Sequence, residues 1–148
     1  MMIDIQYIGH RLPAFSATVE RGALRFFAKA IGQSDPVYLD EAAALAAGHP
    51  DLPVPPTYLF CLEMAAPNPG AMRELLDMPV AKILHGEQRF KYHAPCHAGD
   101  TLTFEPHIAD IYSKKAGALE FVRRETRVSN QHGQHVADLV ATTVLRHA

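Results

Sequence analysis

Four long stretches rich in β-branched and aromatic residues fill the second half of the chain, separated only by short turn segments. They are VAKILHGEQRFKYHAP (80–95), DTLTFEPHIADIY (100–112), ALEFVRRETRVSN (118–130) and QHVADLVATTVLR (134–146). The segments between them, CHAGD, SKKAG and NQHG, each carry a turn residue. A parallel return would need a crossover of about a dozen residues or more, so connections this short dictate four consecutive antiparallel strands. Pro106 falls inside the second stretch. It has no N–H to give to a ladder, which predicts a sheet edge or a bulge there.

The first half has a different period. Ile3, Ile5 and Tyr7 alternate and lead into FSATV, consistent with a short strand or an extended lead-in over 3–19. Over residues 20–31 the positions Leu24, Phe27, Ala28 and Ile31 repeat at i, i+3, i+4, i+7, the pattern of an amphipathic helix. Gly32 is its natural stop, and Pro36 makes continuation costly. Asp40 is placed to cap DEAAALAAG, with Gly48 at its far end. HPDLPVPP follows as a stiff loop. TYLFCLEMAA then reads as a helix begun by Thr57, apolar on every face but that of Glu63, and so expected to be buried all round. PNPG ends it at Pro67, and a helical turn is expected over 71–76. Helices early and strands late define a single α+β domain over residues 1–148, a curved sheet around one long apolar helix. The edge of such a sheet favours pairing with a second copy or a relative.

Hydrophobic residues make up 48% of the 148 and charged residues 20%, a globular balance. A net charge of −2 gives no electrostatic case for nucleic acid or an anionic membrane. No run approaches the roughly 18 apolar residues of a membrane helix. MMIDIQYIGH lacks the basic and apolar regions of a signal peptide. A cytoplasmic location is expected, with Cys61 and Cys96 reduced.

Three segments carry a family resemblance: FFAKAIGQSDPVYLDEAAALAAGHPDLPVPPTYLF, HGEQRFKYHAPCHAGDTL and VSNQHGQHVADLVATTVLR. Together they resemble the MaoC-like hotdog domains over roughly residues 5–146. Within that group they are most similar to the N-terminal, FAS1-like dehydratase type, to which the mycobacterial (3R)-hydroxyacyl-ACP dehydratase subunits belong. The resemblance implies a hotdog fold and a dimer. It also implies a chemistry, the interconversion of trans-2-enoyl and (R)-3-hydroxyacyl thioesters. Catalytic relatives use the Asp and His of a Gly-Asp-x-Asn-Pro-x-His-x-Asp segment to hold one water and move its proton. A backbone N–H at the start of the central helix polarises the thioester carbonyl. No cofactor or metal is implied, and the CoA or acyl-carrier thioester enters as substrate.

In this chain Gly32 matches the Gly of that segment, and Gln33 stands where the catalytic Asp would be. Asp35 stands at the Asn, Pro36 at the Pro, Tyr38 at the catalytic His, and Asp40 at the trailing Asp, here read as a helix cap. A Gln amide binds water but takes no proton from it at neutral pH. A phenol with an ordinary pKa of about 10 is a poor base. The resemblance therefore implies a degenerate half-site, in a homodimer or in a heterodimer whose catalytic MaoC-like partner supplies Asp and His. Pro56 and Thr57 replace the His-Gly often found at the central helix start. Pro56 has no N–H, which leaves those of Thr57 and Tyr58 as donors. The expected substrate-facing residues are Gln33, Asp35, Tyr38, Pro56, Thr57 and Tyr58.

Substitute catalytic groups also arise. Glu63 would serve an acyl-thioester hydrolase, an alternative to the hydratase class, alongside a non-enzymatic acyl-thioester binder. His85, Glu87 and His93 fall at period 2 and are expected on one strand face, with Glu87 and His85 as a possible dyad. The same face suggests metal ligation only weakly, as no third and fourth ligands are evident. His97, His107, His132, His135 and His147 are expected to be scattered and solvated, and Asp100 to fix its turn. Lys114, Lys115, Arg123 and Arg124 form either a solvated hairpin face or a phosphate contact.

Overall fold

The computed structural model describes residues 2–147. Helix α1 spans Arg21–Ala30, and its periodic residues Leu24 and Ala28 are fully buried. It stops where expected. Gly32 turns left-handed (φ 74°), and the Gln33 N–H folds back to the Ala28 carbonyl at 2.8 Å. Helix α2, Glu41–Ala46, is capped by Asp40, whose carboxylate accepts the Ala42 N–H at 3.3 Å. Gly48 (φ 91°) closes its far end, with the His49 N–H on the Ala44 carbonyl. Helix α3 covers Tyr58–Met64 and helix α4 covers Ala71–Leu75. None of the helices of the described residues is long and apolar enough to cross a membrane.

The expected long central helix is short. α3 has seven residues, because its chain turns at Ala65 and two prolines follow at 67 and 69. Thr57 stands at its N-cap position, but its hydroxyl makes no capping bond. Other interactions fix where α3 starts. The preceding loop is laced to the turn after the first long strand, Val54 N–H to Cys96 O at 3.0 Å and Ala98 N–H to Leu52 O at 2.9 Å. Arg21 holds Asp51 through two guanidinium nitrogens, at 2.7 and 3.0 Å, and this pairing keeps the Asp51 carboxyl below its ordinary range.

Five strands form one sheet. β1 is Phe15–Thr18, β2 Ile83–Tyr92, β3 Thr101–Lys114, β4 Leu119–Ser129 and β5 His135–Arg146. Their spatial order is β1-β3-β4-β5-β2, every pair antiparallel. Three of the four expected strands are consecutive neighbours, but β2 crosses to pair with β5 instead of β3, because the segment from 93 to 100 is tied to the loop before α3 and not folded into a hairpin. The FSAT strand is present, whereas Ile5–Tyr7 forms a 3₁₀ turn rather than extended chain. Pro106 lies just past the last residue that β1 covers, Phe104, where the neighbouring chain needs only its carbonyl: the Leu12 N–H donates to Pro106 O at 2.9 Å. Leu59 and Leu62 of α3, Leu24 of α1, Phe104 of β3 and Leu139 of β5 form the main core. Each such side chain contributes about 1.5–3 kcal/mol on burial. A second cluster, with Met72, Met78, Ile108 and Val122, closes the other end. It buries Glu120, which accepts the Ile3 N–H at 2.6 Å and pairs with His147. Among the described residues β2 has a partner on one side only.

Candidate active-site groove

Tyr58, Leu59, Leu62 and Glu63 of α3 turn into the protein. Thr57, Phe60, Cys61 and Met64 repeat at i, i+3, i+4, i+7 and form an opposite strip that stays open. The expectation of a helix buried all round is therefore corrected. The sheet ends at β2 and covers only one side of the helix. The open strip forms one wall of a groove of about 630 Å³. Phe27 and Ile31 of α1 form a second wall, and His85, Gln88 and Phe90 of β2 a third. The groove is mainly apolar, and Ile31, expected in the core, is 53% exposed beside it. Both thiols are free. Cys61 lines the groove, while Cys96 is buried and its pKa is pushed up to about 12, chiefly by burial and then by Asp100.

His85 and Glu87 do not share a strand face. A bulge at Gly86 breaks the register: His85 lies opposite Thr143 and Glu87 opposite Thr142, adjacent residues whose side chains point to opposite faces. His85 stands on the helix side, edge-on to the Phe60 ring at 6.3 Å. Glu87 stands on the outer face and binds Arg89 at 2.7 Å. Period-2 counting missed this because one extra residue inverts every later position. Gly86 is required at the bulge, since a Cβ there would sit 2.8 Å from Val144 Cγ2 and 3.2 Å from the Thr142 carbonyl. Gly86→Val is expected to destabilise by about 1–3 kcal/mol in urea unfolding, through overpacking. An unchanged midpoint would show that the bulge relaxes freely.

The loop at 31–40 is a sequence of interlocking turns. The Gln33 side-chain oxygen accepts the Asp35 N–H at 3.1 Å, and Asp35 in turn accepts the Val37 N–H at 3.0 Å. Pro36–Tyr38 is a 3₁₀ turn. Gln33 and Tyr38 are half-buried, whereas Asp35 is exposed. Ile31, the first residue of this loop, reaches the groove wall.

Tyr92 fixes the groove lip. Its hydroxyl donates to the Pro56 carbonyl at 2.6 Å, and its pKa is raised by burial of the phenol first, then by Cys96 and Tyr38. Tyr92 and Pro56 thus meet beside the α3 start. Tyr58 is buried against Phe27, with ring centroids 5.3 Å apart. Its backbone N–H is used by the Pro55 carbonyl at 3.0 Å. Of the two donors expected here, only the Thr57 N–H has no partner among the described residues.

Glu63 faces away from this groove. One of its oxygens accepts the Thr126 hydroxyl at 2.5 Å, and the other lies 3.2 Å from Arg124 Nη2. Glu63 and Arg124 line a separate cavity of about 120 Å³. Of the four hairpin cations, Arg124 therefore leaves the solvated face for the interior. Arg123 stays outside with Glu125, and Lys114 lies over the stacked rings of Tyr112 and Phe121.

Three of the histidines expected in solvent are engaged. His147 meets Glu120, His135 meets Asp138, and His97 Nε2 lies 3.0 Å from His49 Nδ1. Asp100 fixes its turn as expected, accepting the His97 N–H and the Gln131 side-chain amide, each at 2.9 Å. Burial, then His49, lowers the pKa of His97 against the opposing pull of Asp100 and Asp51. A folded value below the unfolded one of about 6.5 adds stability that is present above pH 6.5 and lost as pH falls through the folded value. The Tm is expected to drop on acidification through this window. His97→Gln should flatten that slope; an identical slope in the variant would assign it elsewhere.

The five-stranded antiparallel sheet, the short helix it covers and the groove beside that helix define an α+β protein of the hotdog fold. Residues 6–139 match the family described as FAS1-like, dehydratase domain region, and the chain belongs to this family of MaoC-like hotdog proteins. It is 34% identical to a UPF0336 protein of Streptomyces avermitilis over 149 residues, covering 100% of this chain and 98% of the relative. The HadBC (3R-hydroxyacyl-ACP dehydratase) complex from Mycobacterium tuberculosis superposes with a TM-score of 0.78 at 25% identity, covering 97% of this chain and 99% of that one. The R-hydratase PhaJ1 from Pseudomonas aeruginosa shares the fold, with a TM-score of 0.69 at 22% identity over 95% of this chain and 83% of that one.

Proposed function

We propose that this chain is an acyl-thioester-binding subunit of the (R)-specific enoyl hydratase and 3-hydroxyacyl dehydratase group, one that holds the acyl chain while a catalytic partner moves the proton. The observation that carries this reading is the 31–40 loop. Its frame is intact, with Gly32, Pro36 and Asp40 in their structural roles, but an amide and a phenol occupy the two positions where proton-transfer groups are expected. The Gln33 oxygen is also committed to its own loop. A Gln so held cannot act as a base. Family membership and the open apolar groove support a thioester ligand, bound as acyl-CoA or as an acyl-carrier thioester. The unpartnered Thr57 N–H is suited to its carbonyl, with Pro56 and Tyr58 shaping that end of the groove and Gln33, Asp35 and Tyr38 the loop beside it. The single-sided pairing of β2 and the heteromeric HadBC complex support a MaoC-like partner that retains Asp and His.

The thioesterase alternative has less support. Glu63 is taken up by Thr126 and Arg124, and Glu87 by Arg89 on the outer face. The test is to purify the chain alone and with a MaoC-like protein carrying both Asp and His. Crotonyl-CoA should bind the isolated chain without hydration, and turnover should appear in the co-purified complex. Robust turnover by the isolated chain, retained in both Gln33→Ala and Tyr38→Phe, would place the chemistry elsewhere. Thiol release lost in Glu63→Gln would establish the thioesterase instead.

A further inference from the structure

His135, which spacing left among the scattered histidines, meets His93 at one point on the outer side of the sheet. His93 follows the last residue of β2, His135 opens β5, and Asp138 lies three residues further along β5. On a regular strand, positions i and i+3 point to opposite faces. Here a bulge intervenes: Val128 pairs with Ala137 but Ser129 pairs with His135, so Val136 is the extra residue. Val136 is fully buried in the main core, and His135 is thereby returned to the face of Asp138. His93 is held from the other side, its N–H on the Val136 carbonyl at 2.8 Å.

The side chains meet accordingly. His93 Nε2 lies 2.6 Å from one oxygen of Asp138, and His135 Nε2 lies 2.7 Å from the other. The two imidazoles face each other, with centroids 4.2 Å apart and planes at 34°. All three donor atoms fall within 4.8 Å of one another. We propose that His93, His135 and Asp138 bind one divalent transition-metal ion, zinc being the ion whose chemistry fits best.

Two imidazole nitrogens and one carboxylate suit zinc, nickel or copper rather than the oxygen-loving calcium or magnesium. The side chains are 28–40% exposed, so a fourth position is open to water, the arrangement of a three-ligand zinc site. Binding would part each Nε2 atom from the carboxylate by roughly 0.7 Å, because ligand atoms about 2.0–2.2 Å from a tetrahedral metal stand roughly 3.3 Å apart. Lys91 and Arg127 lie opposite Asp138 on the two adjacent strands, and their charge moderates the affinity. The ion would clip the end of β2 to the start of β5.

The test uses the full, untagged, chelator-treated chain. Zinc titrated by calorimetry is expected to bind at one equivalent. Cobalt is expected to give the visible bands of a four- or five-coordinate nitrogen and oxygen site. His93→Asn, His135→Asn and Asp138→Asn should each weaken zinc binding at least about tenfold, the minimum loss that even the outer partners of metal ligands produce. His49→Asn, at the other histidine pair, should leave it unchanged. Circular dichroism and Tm of each variant separate lost binding from lost fold, and the cobalt spectrum of the unaltered chain stands apart from any variant. The proposal is overturned by the absence of saturable one-equivalent binding, by six-coordinate cobalt bands alone, or by binding that survives all three substitutions.

Discussion

Arg124→Ala is expected to lower the free energy of unfolding by about 3–5 kcal/mol, the cost of leaving one member of a buried ion pair without the other. Glu63 is 4% exposed and Arg124 12%, so water offers the orphaned carboxylate little relief. Thr126 would still donate to one oxygen, which bounds the loss without removing it. Replacing both charged residues by apolar ones, Glu63→Leu with Arg124→Met, should be far milder than Arg124→Ala alone, because no charge is then left buried. Urea unfolding of the three proteins decides the matter. A loss below about 1 kcal/mol in Arg124→Ala would mean that water reaches Glu63, and would revive it as a candidate base.

Installing the family dyad is the second large effect. The double variant Gln33→Asp, Tyr38→His is expected to raise hydration of crotonyl-CoA by about 10²–10⁴-fold over the unaltered chain, the range that a positioned acid and base typically contribute. The loop frame favours this gain: the turn at Pro36–Tyr38 and the Asp40 cap hold position 38 without help from the Tyr38 side chain. Gln33→Asp does shorten the side chain that accepts the Asp35 N–H, so the measured gain should lie toward the lower end. Single variants should gain less, since the water is then held by one group instead of two and its orientation is not fixed. No gain in the folded double variant, with crotonyl-CoA still bound, would show that this loop does not face the reacting carbons.

Much of the fold was legible because its causes are local. The short turns at SKKAG and NQHG made β3, β4 and β5 antiparallel neighbours, whereas CHAGD joins two strands that do not pair. The repeat at Leu24 and Ala28 forced a helix, and Gly32, Asp40 and Gly48 ended or began helices through the conformations such residues favour. The family resemblance was also legible, since it rests on contiguous residues. The failures over strand faces share one origin. Gly86 and Val136 each insert one residue against an ordinary partner strand. No local signal marks Val136, and Gly86 is marked only by its missing side chain. Each bulge inverts the faces that counting assigns. Counting therefore joined His85 to Glu87, which the fold separates, and left apart His93, His135 and Asp138, which the fold brings together. Glu63 shows the same limit. Its exposure depended on whether Arg124 and Thr126, some sixty residues later, would face it.

By itself, then, the sequence determined the fold class, the ends of α1 and α2, and the framework of the 31–40 loop with its amide at 33 and phenol at 38, because each is written in neighbouring residues. Tertiary structure alone decided which side of α3 stays open, which carboxylates are already paired, and which histidines converge. Those outcomes depend on register between strands distant in the chain, where one inserted residue reverses a face.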